Sequence, residues 1–93
     1  MRFEWDPAKA AENLQTHGIA FEDAAQIFDG PIVEAADTRA DYGEDRYVAV
    51  GVVQGVELAV VYTERRGTIR LISARRATTH EREAYWKEIR GQE

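Results

Sequence analysis

The sequence predicts an α+β fold in one domain spanning residues 1–93, and three observations carry that prediction. Three apolar runs separated by turn residues fill Tyr47 to Arg76, the signature of an antiparallel β-meander. Asp6-Pro7 and Gly18 bracket a stretch of helical period, and Thr78-Thr79-His80-Glu81 matches a capping box ahead of a last helix. An N-terminal strand and two helices are therefore expected to pack on the meander, with a C-terminal helix after it.

Arg2 to Trp5 reads as a short strand. Asp6 then serves as N-cap, with proline at the first helical position, where its missing N–H costs nothing. Ala10 and Leu14, with Asn13 and His17, follow at steps of three and four, and Gly18 supplies the left-handed stop. A second helix is expected from Phe21, Ala24, Ala25 and Phe28 on one face, ending at Asp29-Gly30-Pro31. Ile32 to Ala36 reads as a strand, and Asp37 to Asp45 as an acidic loop with a mobile tip.

A two-residue loop at Gln54-Gly55 sets Val53 opposite Val56 and Tyr47 opposite Tyr62. A four-residue loop, Glu64 to Gly67, would set Thr63 opposite Thr68. With strict alternation, one face carries Tyr47, Ala49, Leu58, Val60, Tyr62, Ile69 and Leu71 as the core. The other carries Arg46, Glu57, Thr63, Arg70 and Arg76. The last helix is expected to bury Ala84, Tyr85 and Ile89 and to end at Gly91.

The chain has no cysteine, no apolar run of membrane-spanning length and no basic, apolar leader pattern. It reads as soluble, unexported and suited to a reducing cytoplasm, with no membrane partner. Its net charge of −5 is unevenly placed: residues 1–61 hold 4 Lys/Arg against 12 Asp/Glu, residues 62–93 hold 8 against 5. The last third is thus a basic segment in an acidic protein, and that asymmetry bears on partners more than the overall charge does.

The basic segment centres on Arg70-Leu71-Ile72-Ser73-Ala74-Arg75-Arg76-Ala77-Thr78, an apolar strand running into paired arginines before a helix cap. Arginine presents a fork of donors that fits phosphate oxygens, although strand-end arginines also stand solvated or paired with carboxylates. If the strand stays regular, Arg75 and Arg76 point to opposite faces. Either it breaks at Arg75 and the two converge, or one serves a site with Arg70 behind it.

Nothing matches a phosphate-binding glycine loop, a dinucleotide fingerprint or a metal-ligand cluster, so neither cofactor nor metal is expected. The remaining set suits RNA cleavage without metal, in which a base takes a 2′-hydroxyl proton and cations stabilise the transition state. Arg75 and Arg76 are the charge stabilisers in that reading. Imidazole titrates closest to neutrality among side chains, which makes His17 the base or acid candidate, though a histidine there also complements helix-end carbonyls. Glu81 is a second base candidate beside its capping role. Lys9, on the helical face of Asn13 and His17, together with Arg65, Arg66 and Arg70, would contact RNA phosphates. Tyr47, Tyr62, Tyr85 and Trp5 read as core residues or base-stacking surfaces, and His80 as a surface residue. A non-catalytic module for RNA or a protein, and a metal-dependent nuclease using the acidic loop with Glu57, are the alternatives.

The ordered combination of Phe3-Glu4-Trp5-Asp6, Lys9-Ala10, Asn13, His17-Gly18-Ile19, Phe21, Ala24, Phe28, the Arg46 strand and Arg70-to-Ala77 resembles the BrnT toxins of bacterial BrnT–BrnA toxin–antitoxin systems. The resemblance spans nearly the whole chain, with Thr16 where the family pattern often has a basic residue. It implies a RelE-like ribonuclease fold and RNA cleavage that arrests translation. It also implies neutralisation by a BrnA-like ribbon-helix-helix antitoxin, operator DNA being reached only through that antitoxin. By position, Arg75 and Arg76 fall on the basic strand end and His17 on the His-Gly turn.

Overall fold

The computed structural model describes residues 1–91. Its elements are β1 (Arg2–Glu4), α1 (Pro7–His17), α2 (Phe21–Ala24) running into a 3₁₀ segment (Ala25–Asp29), β2 (Val33–Ala36), β3 (Tyr47–Val53), β4 (Val56–Arg65), β5 (Thr68–Arg76) and α3 (Thr79–Gly91). The five strands form one mixed sheet in the order β1-β5-β4-β3-β2. The α+β expectation holds. The N-terminal strand extends the meander as a parallel neighbour of β5, pairing Arg2, Phe3 and Glu4 with Thr68, Ile69 and Arg70.

Local chemistry explains the helix ends. Asp6 Oδ1 accepts from the Ala8 amide at 2.9 Å, Pro7 starts α1, and Gly18 closes it at φ 71°. The buried residue of α1 is Asn13, whereas Leu14 is 52% exposed; helical spacing alone favoured Leu14. Asn13 earns its place by hydrogen bonding. β1 is only three residues long, so β5 beyond Arg70 has a free edge, and the Asn13 amide imitates a strand there. Its Nδ2 donates to Ala74 O at 2.9 Å and to Ile19 O at 3.0 Å, while Oδ1 accepts from Ala74 N at 3.0 Å.

The second helical run tightens into 3₁₀ geometry after Ala24, which turns Ile27 fully inward and leaves Phe28 half-buried. Ile27 sits so close to β3 that a Cβ on Gly51 would come within 2.7 Å of its own Cβ. Phe28 still packs on the core, 5.6 Å from the Phe3 ring and 5.2 Å from that of Tyr62. The main core joins Phe21, Ala24 and Ile27 to Ala49, Leu58, Val60, Tyr62, Ile69, Leu71 and Ala74. This is the α1–α2 face. The opposite, α3 face carries a smaller cluster of Val50, Ala59 and Tyr85, with Trp86 and Ile89 packed against it; Ala84, expected inside, is exposed.

The β3–β4 register is as expected, with Val53 opposite Val56 and Tyr47 opposite Tyr62. The β4–β5 register is not. Glu64 and Arg65 extend β4, and the loop is the two-residue Arg66-Gly67, at φ 53° and 80°. Both positions are left-handed, the hairpin geometry that matches the twist of the flanking strands. Thr63 therefore faces Arg70, and Thr68 faces Arg65.

A second departure matters more for the site. The β4–β5 pairing shifts between Val61, opposite Ser73, and Tyr62, opposite Leu71, so Ile72 is an extra residue on β5. Such a bulge reverses the alternation beyond it. Arg76 lies opposite Leu58 and joins the α1–α2 face, not the wetter face expected for it. Arg75, opposite Ala59, joins the α3 face.

The loop after β2 is tied internally. Buried Asp37 accepts from Arg39 Nε and Nη2, both at 2.8 Å, and the Arg46 guanidinium lies 3.9 Å from the centroid of the Tyr42 ring. Among the described residues, no helix is long and apolar enough to cross a membrane.

Candidate nucleic-acid interface

Alternation along the strands assigns the side chains of this surface. Arg70, Ser73 and Arg75 of β5 lie on the α3 face, opposite Thr63, Val61 and Ala59 of β4. Arg65 and Thr63 of β4 share it. Arg46 enters β3 beside them, because the Thr63 hydroxyl donates to Asp45 O at 2.6 Å. Helix α3 packs over β2 and β3, which leaves Arg70, Ser73 and Arg75 half-buried. Arg70 and Arg75 sit at levels four β4 residues apart, about 13 Å along the strand.

Each arginine is held differently. Arg75 forms a two-pronged ion pair with Glu81, Nη1 to Oε1 at 2.6 Å and Nη2 to Oε2 at 3.0 Å. Glu81 closes the capping box as well: Oε1 accepts from Thr78 N at 2.9 Å, and Glu81 N donates to Thr78 Oγ1 at 3.1 Å. The bonds from Arg75, and secondarily from Thr78, outweigh partial burial and bring the Glu81 carboxyl down to about 2. Arg70 has only a loose partner, Glu4, at 3.7 Å. Arg46 and Arg65 share Glu44, at 3.1 and 3.0 Å, and the bond from Arg46 is the main cause that lowers the Glu44 pKa.

The free edge of β5 forms one wall of a groove of about 230 Å³, lined by Lys9, Glu12, Asn13, Thr16 and His17 of α1 and by Ile72 and Ser73 at the bulge. The bulge thus gives the groove its β5 wall, and Ser73 belongs to both the groove and the arginine face. The structure brings together Lys9 and His17 in the groove, and Arg70 and Arg75 on the adjoining face. Arg65 joins Arg46 at the other end of that face. Arg76 stands exposed at the end of β5 on the opposite side of the sheet, and Arg66 occupies the exposed turn tip.

Sequence reasoning passed over two contributors. Arg46 was visible only as one charge on the wetter face; its link to Arg65 runs through Glu44, in a loop with no periodic signal. Asn13 was visible as a member of the helical face of Lys9 and His17, but its strand-mimicking role depends on the shortness of β1. Among the described residues, no three His, Cys, Asp or Glu side chains gather as a metal site would need.

An arginine-bearing sheet face beside an open groove, on an α+β domain this small, is a surface whose chemistry suits a phosphate-bearing chain. The family model for the ribonuclease toxin BrnT of type II toxin-antitoxin systems matches residues 5–81, and the chain belongs to that family. No curated protein matches the chain. Membership makes it a ribonuclease toxin of a type II system, with RNA as target and a protein antitoxin as partner. The matched span contains Lys9, His17, Arg65, Arg66, Arg70, Arg75, Arg76 and Glu81.

Proposed function

We propose that this chain, acting as a single toxin domain, is an endoribonuclease that cuts RNA without a metal ion, and that the cuts arrest translation. The observation that carries the reading is the gathering of Arg70 and Arg75 on one face of β5, next to a groove that holds His17 and Lys9, in a chain of net charge −5. A single-stranded RNA lying across β5 has its phosphates against the two guanidiniums. His17 takes the 2′-hydroxyl proton, the freed oxygen bonds to the adjacent phosphorus, the P–O5′ bond breaks, and the 5′-oxygen leaves with a proton taken from water. The products are a 2′,3′-cyclic phosphate and a 5′-hydroxyl. Arg75 stabilises the charge that builds on the phosphoryl oxygens, and Arg70 and Lys9 hold flanking phosphates. Arg65, Arg66 and Arg76 act as outer contacts that hold the strand. The partner that silences the chain is a BrnA-like ribbon-helix-helix antitoxin, through which alone the complex reaches operator DNA.

The purified chain should cleave single-stranded RNA in excess EDTA, and a 2′-deoxy substitution at the cut should abolish cleavage. Arg70→Ala should weaken binding and flatten the dependence of log affinity on log salt by about 0.7, the share of one single-strand phosphate contact. RNA retained but left intact would assign the chain to non-catalytic binding, and loss of cleavage in EDTA would overturn the metal-free chemistry.

A further inference from the structure

We propose that Glu81 is a positioning residue for Arg75, fixing its guanidinium so that the free edge faces the RNA phosphate, and that it takes no proton itself. The inference rests on the endoribonuclease reading and names how one part of that site is built. A guanidinium at the end of an exposed strand is ordinarily free to sweep through several rotamers, and ordering it for catalysis costs entropy at each turnover. Here both terminal nitrogens of Arg75 are engaged by the two oxygens of one carboxylate, at 2.6 and 3.0 Å. That planar, two-pronged geometry sets the orientation of the whole group, Nη1 donates besides to Arg76 O at 3.4 Å, and Nε with the outward Nη2 proton is left to meet an anion.

The carboxylate is itself immobilised. It belongs to the first turn of α3, where Oε1 also accepts from Thr78 N, and Glu81 N is held by the Thr78 hydroxyl. The helix is anchored to the loop before β2 and to β4: the Tyr85 hydroxyl donates to Pro31 O at 2.9 Å, and Trp86 Nε1 donates to Glu57 Oε2 at 2.9 Å. The chain of restraint therefore runs from the core through α3 to Glu81 and on to a guanidinium on β5. A general base needs an oxygen free to accept a proton and an affinity for it near working pH. Glu81 has neither, since both oxygens accept from Arg75 and its carboxyl lies at about 2.

The test is kinetic and uses the full chain. Glu81→Gln keeps a side chain competent in a capping box but replaces one accepting oxygen with a donor that repels Arg75. We expect kcat to fall about 10- to 100-fold, as for a misoriented catalytic group, with KM little changed and both limbs of the pH–rate profile retained. The double variant Arg75→Ala/Glu81→Gln should be no slower than Arg75→Ala alone, because Glu81 acts only through Arg75. Ile27→Val serves as the structural control: it removes a buried methyl from the opposite face of the sheet and lowers Tm while kcat stays at the wild-type value. Losses that add in the double variant, or disappearance of the acidic limb in Glu81→Gln, would make Glu81 a base and overturn the inference. Wild-type kcat in Glu81→Gln would overturn it too. A wild-type chain that leaves RNA intact would instead bring down the endoribonuclease reading on which it rests.

Discussion

The two faces of the sheet are made by alternate residues of the same strands, yet they are built to different ends. The α1–α2 face is closed by Phe21, Ala24 and Ile27, each with no exposed surface, over Ala49, Val60 and Leu71. The α3 face has a smaller apolar cluster at one end, and beyond it arginines tied to carboxylates. One face holds the fold while the other displays charge, and substitutions should divide accordingly. Phe21→Ala has the largest expected effect, a loss of about 3–5 kcal/mol from a total of roughly 5–15 kcal/mol for a domain of this kind. Arg65→Ala, on the other face, where the arginine is 62% exposed, should change stability by no more than about 1 kcal/mol, the usual range for exposed pairs. Urea unfolding midpoints read both, and equal losses would break the division.

Asn13 sharpens the comparison because it is a polar group in the apolar layer. Replacing it with leucine keeps a similar volume but strands Ala74 N–H and C=O, which lie next to Arg75 on the free edge of β5. Buried groups left without partners give an expected cost of about 3 kcal/mol, with faster hydrogen exchange at the Ala74 amide. A leucine variant as stable as wild type would mean that water satisfies this edge and that α1 is held by its apolar contacts alone.

How much of this was legible in the sequence follows from the range of the interactions. The β3–β4 hairpin was readable because Gln54-Gly55 and the flanking valines set their own register locally. Leu58, Val60, Tyr62, Ile69 and Leu71 were readable as core because alternation with one apolar face admits one assignment up to the bulge, whereas Ala74 beyond it, fully buried in the main core, was not. The Arg66-Gly67 turn was missed because Glu64 and Arg65 look like loop residues and yet extend β4. The bulge at Ile72 was missed because an extra residue carries no compositional mark. That miss matters most for the site: strict alternation put Arg76 with Arg70, and the bulge exchanged it for Arg75. The opposed directions of Arg75 and Arg76 follow from adjacency alone and were legible. Which of them joins Arg70 depends on pairing with β4, which the local sequence does not determine.

The smallest expected effect concerns acid. Glu81 and Asp37 both have carboxyls lowered to about 2 in the folded chain, from ordinary values of 4.5 and 3.8, chiefly by hydrogen bonds from Arg75 and Arg39 respectively. A group that binds its proton less tightly when folded stabilises the fold wherever it is ionised in both states, and loses that contribution as protons are forced on. The contribution of Glu81 is therefore whole above pH 4.5 and erodes down to about 2; that of Asp37 erodes from 3.8 down to about 2. Melting temperatures followed through that window should fall more gently in both variants, so that the gap to wild type, widest near neutrality, closes from 4.5 downward in Glu81→Gln and only below 3.8 in Asp37→Asn. The two carboxylates stand outside the apolar core of the α1–α2 face, so acid should loosen α3 and the loop after β2 before it disturbs that core. Acid curves for both variants that run parallel to wild type would show that these pairs orient arginines without stabilising the fold.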